Sequence, residues 1–349
     1  MRTKTTSQTP EVFDSVKLEN IPKYSELTAK VDAIVKQSSW WDLYGIDWAI
    51  NTGALALIPV CLLLISSTSW MNVAFGIFLL GWIHSVFASK SGHLASHGSL
   101  STDRQYSRPI SVFFIEVIGS FSEELAYDIH IKQHHPYTNI IGQGDSSTWK
   151  MPFLPRYMYM FVAPFIFLPI LTPLVSMAGL IEKRSFLGLL KYIVRAGFGL
   201  SVITLLLIHV SGCSFTGALA VIWLYRAIFS VPYIHVNIFQ HIGLPMYSQK
   251  SKPVRLYQMA TGVLNLPRNP VLDIAFGHSL ISCHVEHHLF PKLSDNMCLK
   301  IKPVVSKFLK DGGMPYNEKT YMNRLHLFID KYDTLMVNAP PITHFVGIQ

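Results

Sequence analysis

Five long apolar stretches punctuate the chain: Trp48–Ser66, Trp70–Ala88, Tyr157–Leu180, Leu187–Val210 and Phe215–Pro232. A helix needs about 20 mostly apolar residues to cross a bilayer. The first two stretches meet that need with no basic residue inside either. Only Ser67-Thr68-Ser69 joins them, which predicts a tight helical hairpin. Ahead of them, Met1–Lys36 is polar and lacks the apolar core of a cleavable signal peptide. Residues 1–45 read as a cytosolic lead-in with one amphipathic helix near Tyr24–Val35. It ends at Trp40 and Trp41, which suit the aromatic belt of a membrane surface. Residues 46–349 read as a single domain, since no linker, low-complexity tract or internal repeat divides them.

Composition supports the membrane reading. Half of the residues are hydrophobic, only 14% are charged, and mean hydropathy is positive, which excludes an ordinary soluble domain. Four cysteines (Cys61, Cys213, Cys283, Cys298) lack C-x-x-C spacing, which argues against a disulfide framework or a structural zinc site. The net charge of +8 lies at the flanks of apolar segments and forms no patch, so no nucleic-acid partner is expected.

The chemistry lies in three histidine clusters: His93-Leu-Ala-Ser-His97, His130-Ile-Lys-Gln-His134-His135 and His284-Val-Glu-His287-His288. Fifteen histidines in 349 positions would yield a given three-histidine pattern about 0.03 times by chance. Imidazole is the commonest metal ligand among side chains. If all three clusters serve one centre, they lie on one side of the membrane, and an even number of crossings separates the second from the third. One of the last three apolar stretches must then stay on that side. Tyr157–Leu180 is the expected exception, because Pro164, Pro169 and Pro173 interrupt its hydrogen bonding and suggest a re-entrant or interfacial segment. Basic residues on both sides of it (Lys90, Arg104, Arg108, Lys132, Lys150 and Arg156 before; Lys183, Arg184, Lys191 and Arg195 after) mark both flanks as cytosolic. The uncharged linkers Ser67–Ser69 and Ser211–Ser214 would face the other side. The expected fold is an all-α polytopic membrane protein with four transmembrane helices. Both termini would be cytosolic, and a cytosolic helical cap, including residues 300–349, would cover the site.

On a helix, residues at i, i+3 and i+4 share a face. His93 pairs with His97 and His130 with His134, while His135 lies about 100° round from His134. His284, His287 and His288 repeat the theme. Adjacent histidines aim their rings apart, so each ring can serve a different ion, as a dinuclear centre requires. Asn237 and His241, also i, i+4, emerge at the end of the last crossing helix on the side of the third cluster. They join the candidates, Asn237 through its amide oxygen or a bound water. His84, His209, His235, His278, His326 and His344 read as packed, interfacial or surface residues, His278 as one that lines the site or packs in the core. Cys283 reads as buried filler. Glu286 and Asp145 read as solvated acids or as carboxylates that orient ligand rings.

All-imidazole ligation suits zinc, copper, iron or nickel. Zinc favours four ligands and needs no paired arrangement of nine histidines. A histidine-rich dinuclear centre at a membrane surface suggests oxygen-activating iron. No G-x-G-x-x-G, P-loop or C-x-x-C-H motif is present, so electrons must come from another protein.

In this order, H-x-x-x-H, H-x-x-x-H-H and H-x-x-H-H resemble the integral-membrane fatty acid desaturases. His284-Val-Glu-His287-His288-Leu-Phe-Pro291 is similar to the third box of the members that act on acyl chains. The resemblance runs from about Trp40 to the C-terminus. It implies two iron ions (Fe2+/Fe3+) held by His93, His97, His130, His134, His135, His241, His284, His287 and His288, with Asn237 as a tenth, water-mediated position. It implies a fatty acyl substrate carried as the CoA thioester, its chain in an apolar tunnel between the helices. It further implies cytochrome b5 and its reductase as electron donors, a membrane-lipid setting and the endoplasmic reticulum. The chain departs from the front-end members, which carry Gln where His284 stands and often a fused haem domain with His-Pro-Gly-Gly. A hydroxylase with the same di-iron chemistry shares the ligand set. A zinc transporter or receptor is the rival from another class, but transporters place their ligands within the spanning helices.

Overall fold

The computed structural model describes residues 21–101, 103–141, 143 and 154–337. Among these the chain is helical. No strand forms, and only isolated bridges join Ile140 to Tyr247 and Asn265 to Glu318. The membrane part is built from α2 (Ile46–Ile65) and α3 (Trp70–Ser85), followed after an excursion by α8 (Ala163–Glu182), α9 (Phe186–His209) and α10 (Phe215–Phe239). With their flanking π-helical turns, these give five helices of 24 to 27 residues that are long and apolar enough to cross a membrane. At 1.5 Å per residue, 25 residues make about 37 Å, more than the ~30 Å hydrocarbon core. The surplus projects α3 and α10 beyond the apolar layer. Exposed Leu55, Leu63, Met71, Leu190 and Phe198 form the lipid-facing surface that a multi-pass protein needs. The all-α membrane fold read from the sequence is borne out.

The remaining helices make the cap. The amphipathic α1 (Tyr24–Gln37) buries Leu27 and Val31 against α14 (Asp295–Asp311), and the Tyr24 hydroxyl donates to Leu289 O at 2.5 Å. Short helices α4 (Gly92–Ser96), α5 (Arg104–Val112), α6 (Glu123–Ala126) and α7 (His135–Tyr137) lie between α3 and α8. Helices α11 (Arg255–Gly262), α12 (Pro270–Phe276) and α13 (His284–Leu289) precede α14, and α15 (Tyr321–Tyr332) packs against α10.

One expectation is corrected. The prolines of Tyr157–Leu180 do not interrupt that segment: α8 runs unbroken past Pro169 and Pro173. Pro164 falls in the first turn, where no intrahelical N–H is required. Side chains supplement the weakened ladder, with Thr172 Oγ1 donating to Leu168 O (2.8 Å) and Trp223 Nε1 to Ile166 O (3.1 Å). Both ends of α8 are nonetheless tied to the cap. Ahead of its start, Arg156 donates to Ile329 O (2.5 Å), and Leu154 O accepts from the Tyr332 hydroxyl (3.1 Å). Just beyond its end, Lys183 pairs with Glu124 (2.9 Å) and Asp128, beside the second histidine cluster.

Helices α3 and α10 approach most closely at Gly81. A Cβ there would lie 2.5 Å from Tyr225 O and 3.3 Å from the Phe229 ring. Gly81→Val is expected to cost about 1–3 kcal/mol by overpacking. The apparent unfolding midpoint of the purified protein checks this, and an unchanged midpoint would mean the helices can separate freely.

Candidate metal centre

The first cluster sits where α3 continues beyond the membrane: His93 lies in α4 and His97 caps it. The second cluster occupies a π-helix, Tyr127–His134, whose i→i+5 pattern is continued by the His135 N–H bonding to His130 O. The third is α13, reached through a sharp turn at Gly277 (φ +93°), where a Cβ would also collide with the Asp295 carboxylate.

These elements converge. His93, His97, His130, His135 and His287 form one group whose ligand atoms all lie within 4.8 Å of one another. His134, His241, His284 and His288 form a second on the same criterion. The groups adjoin, with the His135 and His288 ring centres 4.5 Å apart. The adjacent pairs His134–His135 and His287–His288 are split between the groups, as their divergent rings predict. Although His130 and His134 are i, i+4 and their rings stay stacked with centres 5.2 Å apart, His130 groups with His135, and His134 belongs to the other group. Asn237 lines the cavity beside His93 and His130. Its amide nitrogen donates to Tyr233 O (2.7 Å), leaving the amide oxygen as its remaining polar atom.

Hydrogen bonds fix how the second group presents its nitrogens. His241 Nδ1 donates to Gly262 O (3.2 Å), and His284 Nδ1 donates to Ser279 O (2.7 Å). The Thr138 hydroxyl spends its proton on His134 O (2.6 Å), so toward His288 Nδ1 (3.3 Å) it accepts. The Nε2 atoms of these three rings therefore carry lone pairs. Yet His241 Nε2 lies 2.7 Å from His284 Nε2, and His288 Nε2 lies 3.1 Å from His134 Nε2. Lone pairs so close repel unless a cation sits among them. In the first group, Nε2 of His130 lies 2.9 Å from those of His93 and His97, and His135 Nε2 lies 3.1 Å from His287 Nε2. Burial, then the neighbouring rings, push His97, His130, His135, His284, His287 and His288 well below the usual imidazole range. Neutral rings are the form that binds metal. The donor set fits two metal ions.

One residue serves both groups. The Ser279 carbonyl accepts from His284, and its hydroxyl meets His93 Nδ1 at 3.2 Å. The Ser279 N–H is anchored on Asp295 Oδ1 (2.8 Å). Asp295 in turn pairs with Lys90 (3.1 Å), which also pairs with Asp47, all three being about 1% exposed. Lys90 is thus a buried bridge between α2 and α14, where the sequence suggested a cytosolic flanking charge. Sequence reasoning also missed Ser279, Asp295, Asp47 and Thr138. Asp47 and Lys90 did leave a signal, since each breaks the edge of an apolar stretch. Glu286 is neither solvated nor turned to a ring, its bonds going to Asn265 (3.0 Å) and Tyr316 (2.6 Å). His235 binds Tyr321 and Met160 O, and His278 faces Ser282 and Asp273. Asp145 and His344 lie outside the described residues.

Lys90→Met leaves two buried carboxylates without their cation, and about 3–5 kcal/mol of stability is expected to go. Burial alone would raise the Asp295 carboxyl, but Lys90, His278 and the bonds from Ser279 hold it below its usual range. Its stabilising contribution is therefore present above about pH 3.9 and lost as pH falls through the lower folded value. In Lys90→Met the acid-unfolding midpoint should move to higher pH; an unmoved midpoint would show that the pair carries no stability. Ser279→Ala removes only the contact with His93, and metal retention should weaken about tenfold with the fold intact, as metal titration would show.

A family model described as fatty acid desaturase matches residues 68–320. The chain is 51% identical to bovine (Bos taurus) fatty acid desaturase 6 over 327 residues, covering 93% of this chain and 94% of the bovine one. The human (Homo sapiens) protein of the same name is 49% identical over 324 residues, with 93% and 90% covered. The mouse (Mus musculus) protein is 49% identical over 327 residues, with 93% and 94% covered. The converging histidines and these matches together place the chain in the fatty acid desaturase family.

Proposed function

We propose that the protein desaturates a fatty acyl chain at a di-iron centre. One iron would be held by His93, His97, His130, His135 and His287. The other would be held by His134, His241, His284 and His288, and Asn237, at the cavity beside His93 and His130, would contribute to the centre through a water. The observation that carries this is the convergence of nine imidazoles in two adjoining groups, the ligand atoms of each lying within 4.8 Å of one another. When bound, iron supplies the oxygen activation and hydrogen abstraction that no side chain here can perform. Overall, two hydrogens leave adjacent methylenes, two electrons and two protons come from outside, and O2 becomes two waters.

The chain's own residues bind, orient and exclude water. A cavity starts at His93, His130 and Asn237 and descends between α3, α8 and α10, lined by Ala88, Phe121, Leu168, Phe229 and Phe276. Apolar walls favour an alkyl chain and keep water from the reacting carbons. Ser279, Thr138 and the Gly262 carbonyl hold rings from both groups in place, so ligand geometry is set before the substrate arrives. Only His97 of the nine histidines is half-buried, and the polar cleft over it, with Arg108, Lys132 and Lys183, gives the centre a path to solvent.

The topology that supports this reading has four crossings: α2, α3, α9 and α10. Five apolar helices cannot all cross if the histidines meet, and the tying of both α8 ends to the cap singles that helix out. The cap faces the cytosol of an endoplasmic reticulum membrane, with residues 46–349 as the catalytic domain. CoA carries the acyl group, and cytochrome b5 with its reductase supplies the electrons.

Expression in a desaturase-deficient host with cytochrome b5, followed by lipid mass spectrometry, should reveal a new double bond. A hydroxylated chain, or no new chain across a broad panel, would overturn the reading. His287→Ala and His134→Ala should each lower bound iron and abolish the product; unchanged iron would remove that residue from the centre.

A further inference from the structure

Beside the cavity below the histidines lies a second, larger cavity of about 400 Å3, and the two share a wall. That second cavity is bounded by α2, α3, the π-helix Phe113–Ile118, α9 and α10, and Leu55, Phe113, Phe198 and Val202 on its rim are exposed on the lipid-facing surface. Two side chains line both cavities, His84 and Arg226. His84 is the one ionisable group of α3, and Arg226 is the one Arg or Lys of α10.

An arginine within an apolar span is costly and marks function more often than packing. Arg226 Nη2 reaches from α10 to Ile118 O (3.1 Å) and Ser120 Oγ (3.2 Å). Ser120 sits in a left-handed turn (φ 57°) closing the π-helix, and its carbonyl accepts from the Tyr192 hydroxyl (2.8 Å). The guanidinium thus spans the gap between α10 and a turn held from its other side. His84 backs it, edge-on to Tyr225. An alkyl chain pressing on this wall would have to break charge-assisted hydrogen bonds where no water replaces them, whereas an apolar wall would yield by changing rotamers.

We infer that Arg226, backed by His84, ends the acyl cavity and so sets the longest chain the site accepts. The identity of the occupant rests on the desaturase reading. His84 lies nine residues from His93 and Arg226 eleven from Asn237, which puts the wall about 14–17 Å from the centre along the helices. Removing the guanidinium would join the two cavities and let longer chains extend toward the bilayer between α2 and α9. Arg226 is a specificity residue, far from the reacting carbons.

The test uses the full chain in phosphatidylcholine nanodiscs with saturated acyl-CoA probes of graded length, each carrying a diazirine at its methyl end. Mass spectrometry maps the labelled residues. In the wild type, labels should stay on the metal side, around Phe229 and Tyr233, and labelling should fall at least tenfold beyond a limiting length. In Arg226→Met the longer probes should label Val117 and Val202. Wild-type labelling at Val117 and Val202, or an Arg226→Met map like the wild type's, overturns the inference. So does a loss of labelling that is uniform across lengths. If Arg226→Met fails to fold, Ser230→Leu fills the cavity one turn nearer the centre. It should lower the limiting length, and an unchanged limit overturns the inference. Labelling needs no turnover, so a wild type with the expected map but no unsaturated product would sink the desaturase reading and leave the wall standing.

Discussion

Everything in this fold answers to one electrostatic demand: nine imidazoles brought face to face from four separate lengths of chain. Imidazoles so placed repel, and burial removes the water that would screen them. The protein resists this repulsion with carbonyls, a threonine and a serine that hold the rings from behind. The membrane arrangement follows from the same demand. Two apolar helices precede the first two clusters and three more lie between the second and the third, so histidines that meet must be separated by an even number of crossings. An α8 that stays on the cap side, to which both its ends are tied, would meet that requirement.

The sequence carried much of this. Apolar length marked all five helices, and the adjacent His-His pairs marked a centre with two halves. His241, singled out in the sequence by its place at the end of the last apolar helix, does join the second group. What was not legible depended on tertiary partners. Lys90 looks like any basic flank until α14 brings Asp295 to it. Ser279 is an unremarkable serine in the sequence, and no local pattern shows that its carbonyl and hydroxyl will touch different groups. The prolines of α8 misled because helix breaking is a local rule. A neighbouring indole and one threonine hydroxyl supplement the weakened ladder.

The second cluster shows a subtler limit. H-x-x-x-H-H puts His130 and His134 one turn apart, and their rings do stack. The folded chain nonetheless groups His130 with His135 and gives His134 to the other group. The letters of the motif do not say which ring joins which group. Histidine spacing therefore identifies a dinuclear centre more readily than it apportions the ligands within it.

Ser279 gives the two halves a common hinge. Its amide is fixed by Asp295, its carbonyl holds a ring of one group, and its hydroxyl meets a ring of the other. An ion held in either group would bind a ring that rests on this residue, and so would bear on the neighbouring group as well. Loading would then be cooperative, and half-filled protein scarce at equilibrium. For chemistry that needs both metals at once, such coupling limits the time a lone, reactive ion spends facing oxygen without its partner.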